Sequence, residues 1–378
     1  MKIGIITMHK VLNFGSALQA YALQHKIEEL GYECEIIDYL FPPRRKKKKS
    51  IAFFLKGLFS VFRSLIMGFP QKKKSRRFHE FYETYYKLSP ITYNAETISI
   101  NPPDYDVFMT GSDQVWNPRH IGVDSNFLLS FAPKGKPKIS YASSFATSII
   151  PEDKKNLYGR CLDDYQRISV REPSGVQLVK ALSGKDADVC CDPVFLLDKE
   201  QWDEVSAKGK LKNGEKYILV YALYYMFDPY PELVRIIEHV QKTLDYKVYY
   251  LNGRKEDAFR PNSKVLKSEG PAEFVQLIKN AEIVITSSFH GVAFSLIYDK
   301  PLMAIVREND ITDSRISSLL DNLDAVGSIV PYNSECSLTK DELYLLKANR
   351  VKLNDYIETS TIYLKDTLSS VVGFNCEV

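Results

Sequence analysis

Short runs rich in isoleucine and valine recur along this 378-residue chain, and stretches of helical period separate them. That alternation is the strongest constraint on the fold, because parallel strands need long crossovers and a helix is the element that usually supplies one. In the first half such runs fall at residues 2–7, 33–38, 106–110, 138–142, 167–171 and 187–191. A helix is expected over 15–31, with Leu18, Tyr21, Ala22, Leu23 and Ile27 on its apolar face and Gly31 placed to end it. The pattern restarts after Asp192-Pro193. Strands are expected at 217–221, 247–251, 283–287 and 302–306, with helices at 231–243, 271–279 and 291–298 between them. At about 100–200 residues per domain, the length also asks for two domains. The expected fold is therefore α/β, with two doubly wound Rossmann-like domains over residues 1–194 and 195–338. A helical tail over 339–378 is expected to pack back on the first domain. The ligand site belongs in the cleft between the two, since open α/β sheets collect ligands at the carboxyl ends of their strands.

Net charge is only +3, but its placement is uneven. Lys+Arg total 50, and thirteen of them lie within residues 44–77, where no acidic residue occurs. The other 37 face 47 Asp+Glu, so a basic segment is inserted into an acidic body. This excludes a generally basic protein that coats nucleic acid. Between the basic clusters at 44–49 and 72–77, residues 51–70 carry Phe53, Phe54, Leu58, Phe62 and other large apolar side chains. Lys56, Ser60, Arg63, Ser64 and Met67 fall on one helical stripe, which leaves a wide apolar face. Such a helix suits an anionic membrane surface, where each flanking lysine contributes about 1 kcal/mol. Two other readings stand: a helix covering the protein or a partner subunit, and a spanning helix, which Lys56 and Arg63 disfavour. The aromatic residues are not interleaved with the basic ones, so nucleic acid is not an expected partner. The six cysteines form no CxxC pair and no Cys/His zinc spacing. Reduced thiols, no metal site and a cytoplasmic setting are expected, peripheral to the membrane's inner face, with no signal-peptide core at the N-terminus.

Three segments read as strand ends opening into loops or helices. In the first, Asn13-Phe14-Gly15-Ser16 enters a helix whose free N–H groups suit an anion or sugar hydroxyls, or are simply capped. In the second, Gly111-Ser112-Asp113-Gln114-Val115-Trp116 follows an apolar strand. Ser112, Asp113 and Gln114 offer hydrogen bonds and Trp116 a ring face, which suits a saccharide; a self-bonded tight turn is the competing reading. The third, Thr286-Ser287-Ser288-Phe289-His290-Gly291, delivers three hydroxyls and a histidine where a small-residue helix begins. His290 is placed there to move protons beside a phosphate or carboxylate held by Ser287, Ser288 and the Gly291 backbone, unless it is a buried structural histidine. Its partner is expected to be a cation from the other domain. Arg171, at the end of the 167–171 strand, is the candidate, against a local pair with Glu172.

Taken together, Asn13-Phe14-Gly15, Gly111-Ser112-Asp113, Ser140-Tyr141-Ala142-Ser143-Ser144-Phe145, Ser169-Val170-Arg171-Glu172, Asp192-Pro193-Val194 and Ser287-Ser288-Phe289-His290 resemble the polysaccharide pyruvyl transferase family, in the same order. The resemblance covers most of the chain outside the basic insertion. It implies a GT-B-like fold, phosphoenolpyruvate as donor, a cell-surface glycan or its lipid-linked precursor as acceptor, and no required metal or cofactor. It further implies His290 as the acid and Arg171 as a donor clamp. Two positions depart from the family pattern. Ser288 stands where an arginine usually precedes the histidine by two residues, and Ser16-Ala17 replaces the acidic residue that usually follows the N-terminal glycine. A missing guanidinium beside a doubly charged donor costs about 1.5–3 kcal/mol as a charge-assisted hydrogen bond. Arg307 and Arg315 are the nearby replacements, and Arg315 is the better placed, at a predicted loop-to-helix junction. A GT-B-type glycosyltransferase using a nucleotide sugar and a non-catalytic glycan-binding protein are the alternative functions.

Overall fold

The computed structural model describes residues 1–41, 57–121, 124–211, 214–224, 227–307 and 314–372. Strands β1 (Lys2–Ile6), β2 (Glu33–Tyr39), β3 (Leu88–Tyr93), β4 (Val107–Thr110) and β5 (Lys138–Ser140) form a parallel sheet in the order β3-β2-β1-β4-β5. The short strands β6 (Ser169–Val170) and β7 (Asp188–Val189) pair with each other and continue this sheet through bridges from Ile139 to Arg167 and from Ser143 to Val170. A second parallel sheet contains β8 (Tyr217–Tyr221), β9 (Lys247–Leu251), β10 (Ser263–Leu266), β11 (Ile283–Thr286), β12 (Leu302–Val306) and β13 (Ile329–Pro331) in the order β10-β9-β8-β11-β12-β13. Every residue of β8, β11 and β12 is buried, as a parallel sheet covered on both faces requires.

Both sheets grow outward from their first strand in two directions, so the strand order reverses between β1 and β4 and again between β8 and β11. The loops leaving those strands therefore diverge and open a crevice at each reversal. Helix α1 (Phe14–Glu29) starts beside the first, and the helix Phe289–Ile297 starts beside the second.

Most expected elements are present, with corrections at the margins. The runs expected as strands at 167–171 and 187–191 shorten to two residues each, and just beyond them Arg171 Nη1 meets Asp192 Oδ2 at 2.6 Å. The tail is two helices, Lys340–Tyr344 and Arg350–Val372. The longer one packs on the first half of the chain: Leu364 and Leu368 are fully buried, and the Ser360 hydroxyl accepts the Cys191 N–H at 2.9 Å.

The basic segment divides between the readings given for it. Helix α2 (Gly57–Tyr85) runs straight through Pro70. Residues 42–56 and the side chains of 57–68, which hold most of the expected membrane helix, lie outside the described residues. Further along α2 the cations sort by helical position. Lys72, Lys73 and Arg76 face outward, whereas Lys74 and Arg77 are buried against protein. Arg77 Nε lies 3.2 Å from Glu273, its Nη1 lies 3.7 Å from Glu269, and Nη1 donates to the Ser268 carbonyl at 2.9 Å. Lys74 lies 4.8 Å over the Phe14 ring and donates to Asn252 at 3.3 Å. Phe14 in turn stacks on Phe274 of the second half with ring centroids 4.8 Å apart. Among the described residues, no helix is long and apolar enough to cross a membrane.

Candidate active site

The two crevices face each other. Thr286 ends β11, Ser287 and Ser288 leave the sheet after it, and each hydroxyl fixes nearby backbone. Thr286 donates to the Tyr221 carbonyl at 2.6 Å, Ser287 accepts the Leu223 N–H at 2.8 Å, and Ser288 caps the next helix by accepting the Gly291 N–H at 3.3 Å. Because Ser287 and Ser288 accept, their O–H protons stay available to a ligand. Gly291 is needed for packing, since a Cβ there would overlap Thr286.

This helix start presents His290 to the first half of the chain. A Cβ on Gly15 would overlap the imidazole, so the bare backbone at the α1 N-terminus is what admits the ring. On its other side His290 Nε2 lies 3.4 Å from Asp192 Oδ2, and the same oxygen accepts a hydrogen bond from Arg171 Nη1 at 2.6 Å. Arg171 and Asp192 are both essentially inaccessible, and the guanidinium lies 4.5 Å over the Phe289 ring. Burial alone would raise the Asp192 pKa, but the neighbouring His290 and Arg171 overcome it and hold the carboxyl well below the usual carboxylate range. Burial likewise works against the charge on Arg171, and Asp192, Asp113 and Glu172 outweigh it, so the guanidinium stays protonated.

Arg171 does not pair with its neighbour in sequence. Glu172 turns away and accepts the Phe145 N–H at 2.8 Å and the Ala146 N–H at 3.1 Å. Arg171 Nε and Nη2 are buried without a hydrogen-bond partner. Arg171 is one of the residues lining a cavity of about 520 Å³, together with Phe289, Tyr356 and Arg315. Asp192 meets the charge, but two buried N–H donors without partners are still costly, which makes this cavity the candidate ligand site.

A smaller recess shares Phe289 and Arg315 with that cavity and brings Asn13, Asp113, Gln114, Ser287 and Ser288 around His290. Asn13 caps α1 by accepting the Ser16 N–H at 3.3 Å. Asp113 sits at φ 74°, a left-handed conformation that costs a non-glycine residue about 1 kcal/mol or more. Its carboxylate accepts from the Ser16 hydroxyl and from the Gln114 N–H. The loop that lacks an acidic residue in sequence thus meets one across the crevice.

Two expected contacts are corrected. Trp116 is fully buried, donates to the Phe127 carbonyl at 3.0 Å and packs on Phe145 and Tyr165, so its indole has no face for a sugar. Ser112 is also inaccessible: its hydroxyl donates to the Ala142 carbonyl at 2.8 Å, and 3.4 Å from Asp192 it backs the site rather than facing the cleft. Sequence reasoning gave no role to Asp192, although an aspartate before proline at a strand end was on view. Cys191 beside it is held protonated by burial, its pKa pushed up to about 12, and is no nucleophile.

Two doubly wound parallel sheets, each with the loops of its strand reversal turned toward the other, define a GT-B-like fold. The fold is similar to that of UDP-N-acetylglucosamine 2-epimerase from Rickettsia bellii (TM-score 0.54, 10% identity, covering 100% of this chain and 98% of that one). It is also similar to UGT89C1 from Arabidopsis thaliana (0.51, 12%, 98% and 99%) and to Methanocaldococcus jannaschii UDP-GlcNAc 2-epimerase in complex with UDP-GlcNAc and UDP (0.50, 14%, 94% and 93%). At such identities the likeness concerns the fold alone. No curated protein matches the sequence. The chain belongs to the polysaccharide pyruvyl transferase family, whose model matches residues 13–309.

Proposed function

We propose that this transferase moves the pyruvyl group of phosphoenolpyruvate onto two hydroxyls of one sugar in a surface polysaccharide or its lipid-linked precursor, forming a cyclic ketal and releasing inorganic phosphate. The observation that carries this reading is the buried Arg171, which lines a cavity, keeps two guanidinium nitrogens without partners and shares Asp192 Oδ2 with His290. A small dianion with an adjacent carboxylate matches that demand.

In the reaction His290 gives a proton to the donor's methylene carbon, which becomes a methyl group. Positive charge then develops at the neighbouring carbon. One sugar hydroxyl bonds to that carbon, the carbon–oxygen bond to phosphate breaks, and the second hydroxyl closes the ring. Of the two hydroxyl protons, one restores His290 and the other leaves on phosphate. Arg171 holds the donor's anionic groups. Arg315, on the rim shared by both recesses, stands in for the guanidinium that Ser288 lacks. The Ser287 and Ser288 hydroxyls donate to donor oxygens, while Asn13, Asp113 and Gln114 receive the sugar.

Calorimetry with phosphoenolpyruvate is expected to show donor binding, and incubation with lipid-linked sugars is expected to release phosphate. Absence of donor binding together with thermal stabilisation by a nucleotide sugar would overturn this reading in favour of glycosyl transfer. Gly15→Ala tests the seat of the acid. The added methyl displaces the imidazole, so kcat/KM is expected to fall about a hundredfold. Overpacking costs the fold about 1–3 kcal/mol. Steady-state kinetics beside a thermal melt separates the two effects.

A further inference from the structure

A second cavity, about 830 Å³ and thus larger than the catalytic one, lies between α2 and the edge strand β10 and shares no wall residue with the catalytic cleft. Phe69 and Pro70 of α2 and Val265 and Leu266 of β10 make its apolar walls. Lys72, Lys73, Arg76 and Lys267 surround them with positive charge. The one carboxylate in the wall, Glu269, is buried and lies 3.7 Å from Arg77, so it does not neutralise the outer cations. Arg76 is near Glu80 at 3.3 Å, whereas Lys72, Lys73 and Lys267 are exposed and in no ion pair among the described residues. Phe69 is 69% exposed, and Phe259, next to the wall residue Ala258, is 88% exposed.

Bare phenylalanine rings beside unpaired lysines are costly in water and favourable at a bilayer interface, where rings reach the acyl boundary and lysines meet phosphates. A soluble anion would use the lysines but leave the apolar walls and both rings unexplained. We propose that this face docks on an anionic phospholipid bilayer, with the cavity receiving a lipid headgroup and with contacts supplied by both halves of the chain. The contact is thus not confined to the basic insertion: Phe259 and Lys267 of the second half belong to it.

The test is sedimentation of the full chain with phosphatidylcholine vesicles, with and without phosphatidylglycerol. Binding is expected only on the anionic vesicles and is expected to weaken with salt. Phe259→Ser combined with Lys267→Glu is expected to weaken it about tenfold or more, leaving the thermal melt unchanged. Equal binding of the double variant and the wild type would overturn the proposal, as would equal binding to both kinds of vesicle. So would stabilisation by inorganic phosphate without vesicle binding, or a wild-type dimer that the double variant converts to a monomer. The readout is independent of pyruvyl transfer, so either proposal can fail without the other.

Discussion

A His290→Gln variant is expected to bind phosphoenolpyruvate within a few-fold of the wild type and to lose about 10²–10⁴ in turnover, the usual span for a removed general acid. Glutamine keeps a polar group toward Asp192 Oδ2, which lies 3.4 Å from the native imidazole, but has no proton to deliver to carbon. The donor's anionic contacts do not run through this side chain, so the loss should fall on kcat. Single-turnover phosphate release, measured beside calorimetric donor affinity, separates the two. Full turnover in the variant would remove His290 as the acid while leaving family membership untouched.

Asp192→Asn is expected to damage stability and catalysis together. The substitution keeps shape but leaves the buried Arg171 guanidinium without its 2.6 Å carboxylate, and breaking one side of a buried ion pair costs about 3–5 kcal/mol. Turnover should also fall, by about tenfold to a hundredfold, because the imidazole loses the charge that orients it. The sign of the pH dependence follows from the direction of the shift. The folded carboxyl titrates below its ordinary value of 3.8, so its contribution is fully present above that value and is lost as pH falls through the folded pKa. The stability gap between wild type and variant, read from denaturant melts, should be constant near neutrality and close only in strong acid. A gap that widened on acidification would contradict the assignment of Asp192 as a buried carboxylate.

The elements legible in the sequence were those buried on both faces. The runs at 217–221, 247–251 and 302–306 are strands over those same residues, because central parallel strands are continuous apolar runs. The three strands that the pattern missed, β3, β10 and β13, all stand at sheet edges. An edge strand makes ladder bonds on one side only and tolerates residues a central strand does not; β3 contains Pro90 and β13 ends in Pro331. At the site, Arg171 was readable as an arginine at a strand end and His290 as a histidine at a helix start. Trp116 was misread because exposure is a tertiary property: a turn tryptophan shows a sugar or the core the same face in sequence. Asp192 was missed for the converse reason, since its meaning lies in Arg171 and His290, which are distant along the chain. The Ser288 departure was plain in sequence, but only the packed structure brings Arg315 to the same recess.

The inward-facing cations Lys74 and Arg77 make α2 a strut. Rotating the two sheets apart would have to part the Phe14–Phe274 stack and withdraw Arg77 from Glu269 and Glu273. Phe14 adjoins Gly15, whose bare backbone seats the His290 imidazole, so a load applied to the outer end of α2 bears on that imidazole through one ring and one buried guanidinium. Excising the whole basic segment would therefore cut a structural member as well as a surface, and the two can be told apart only one side chain at a time.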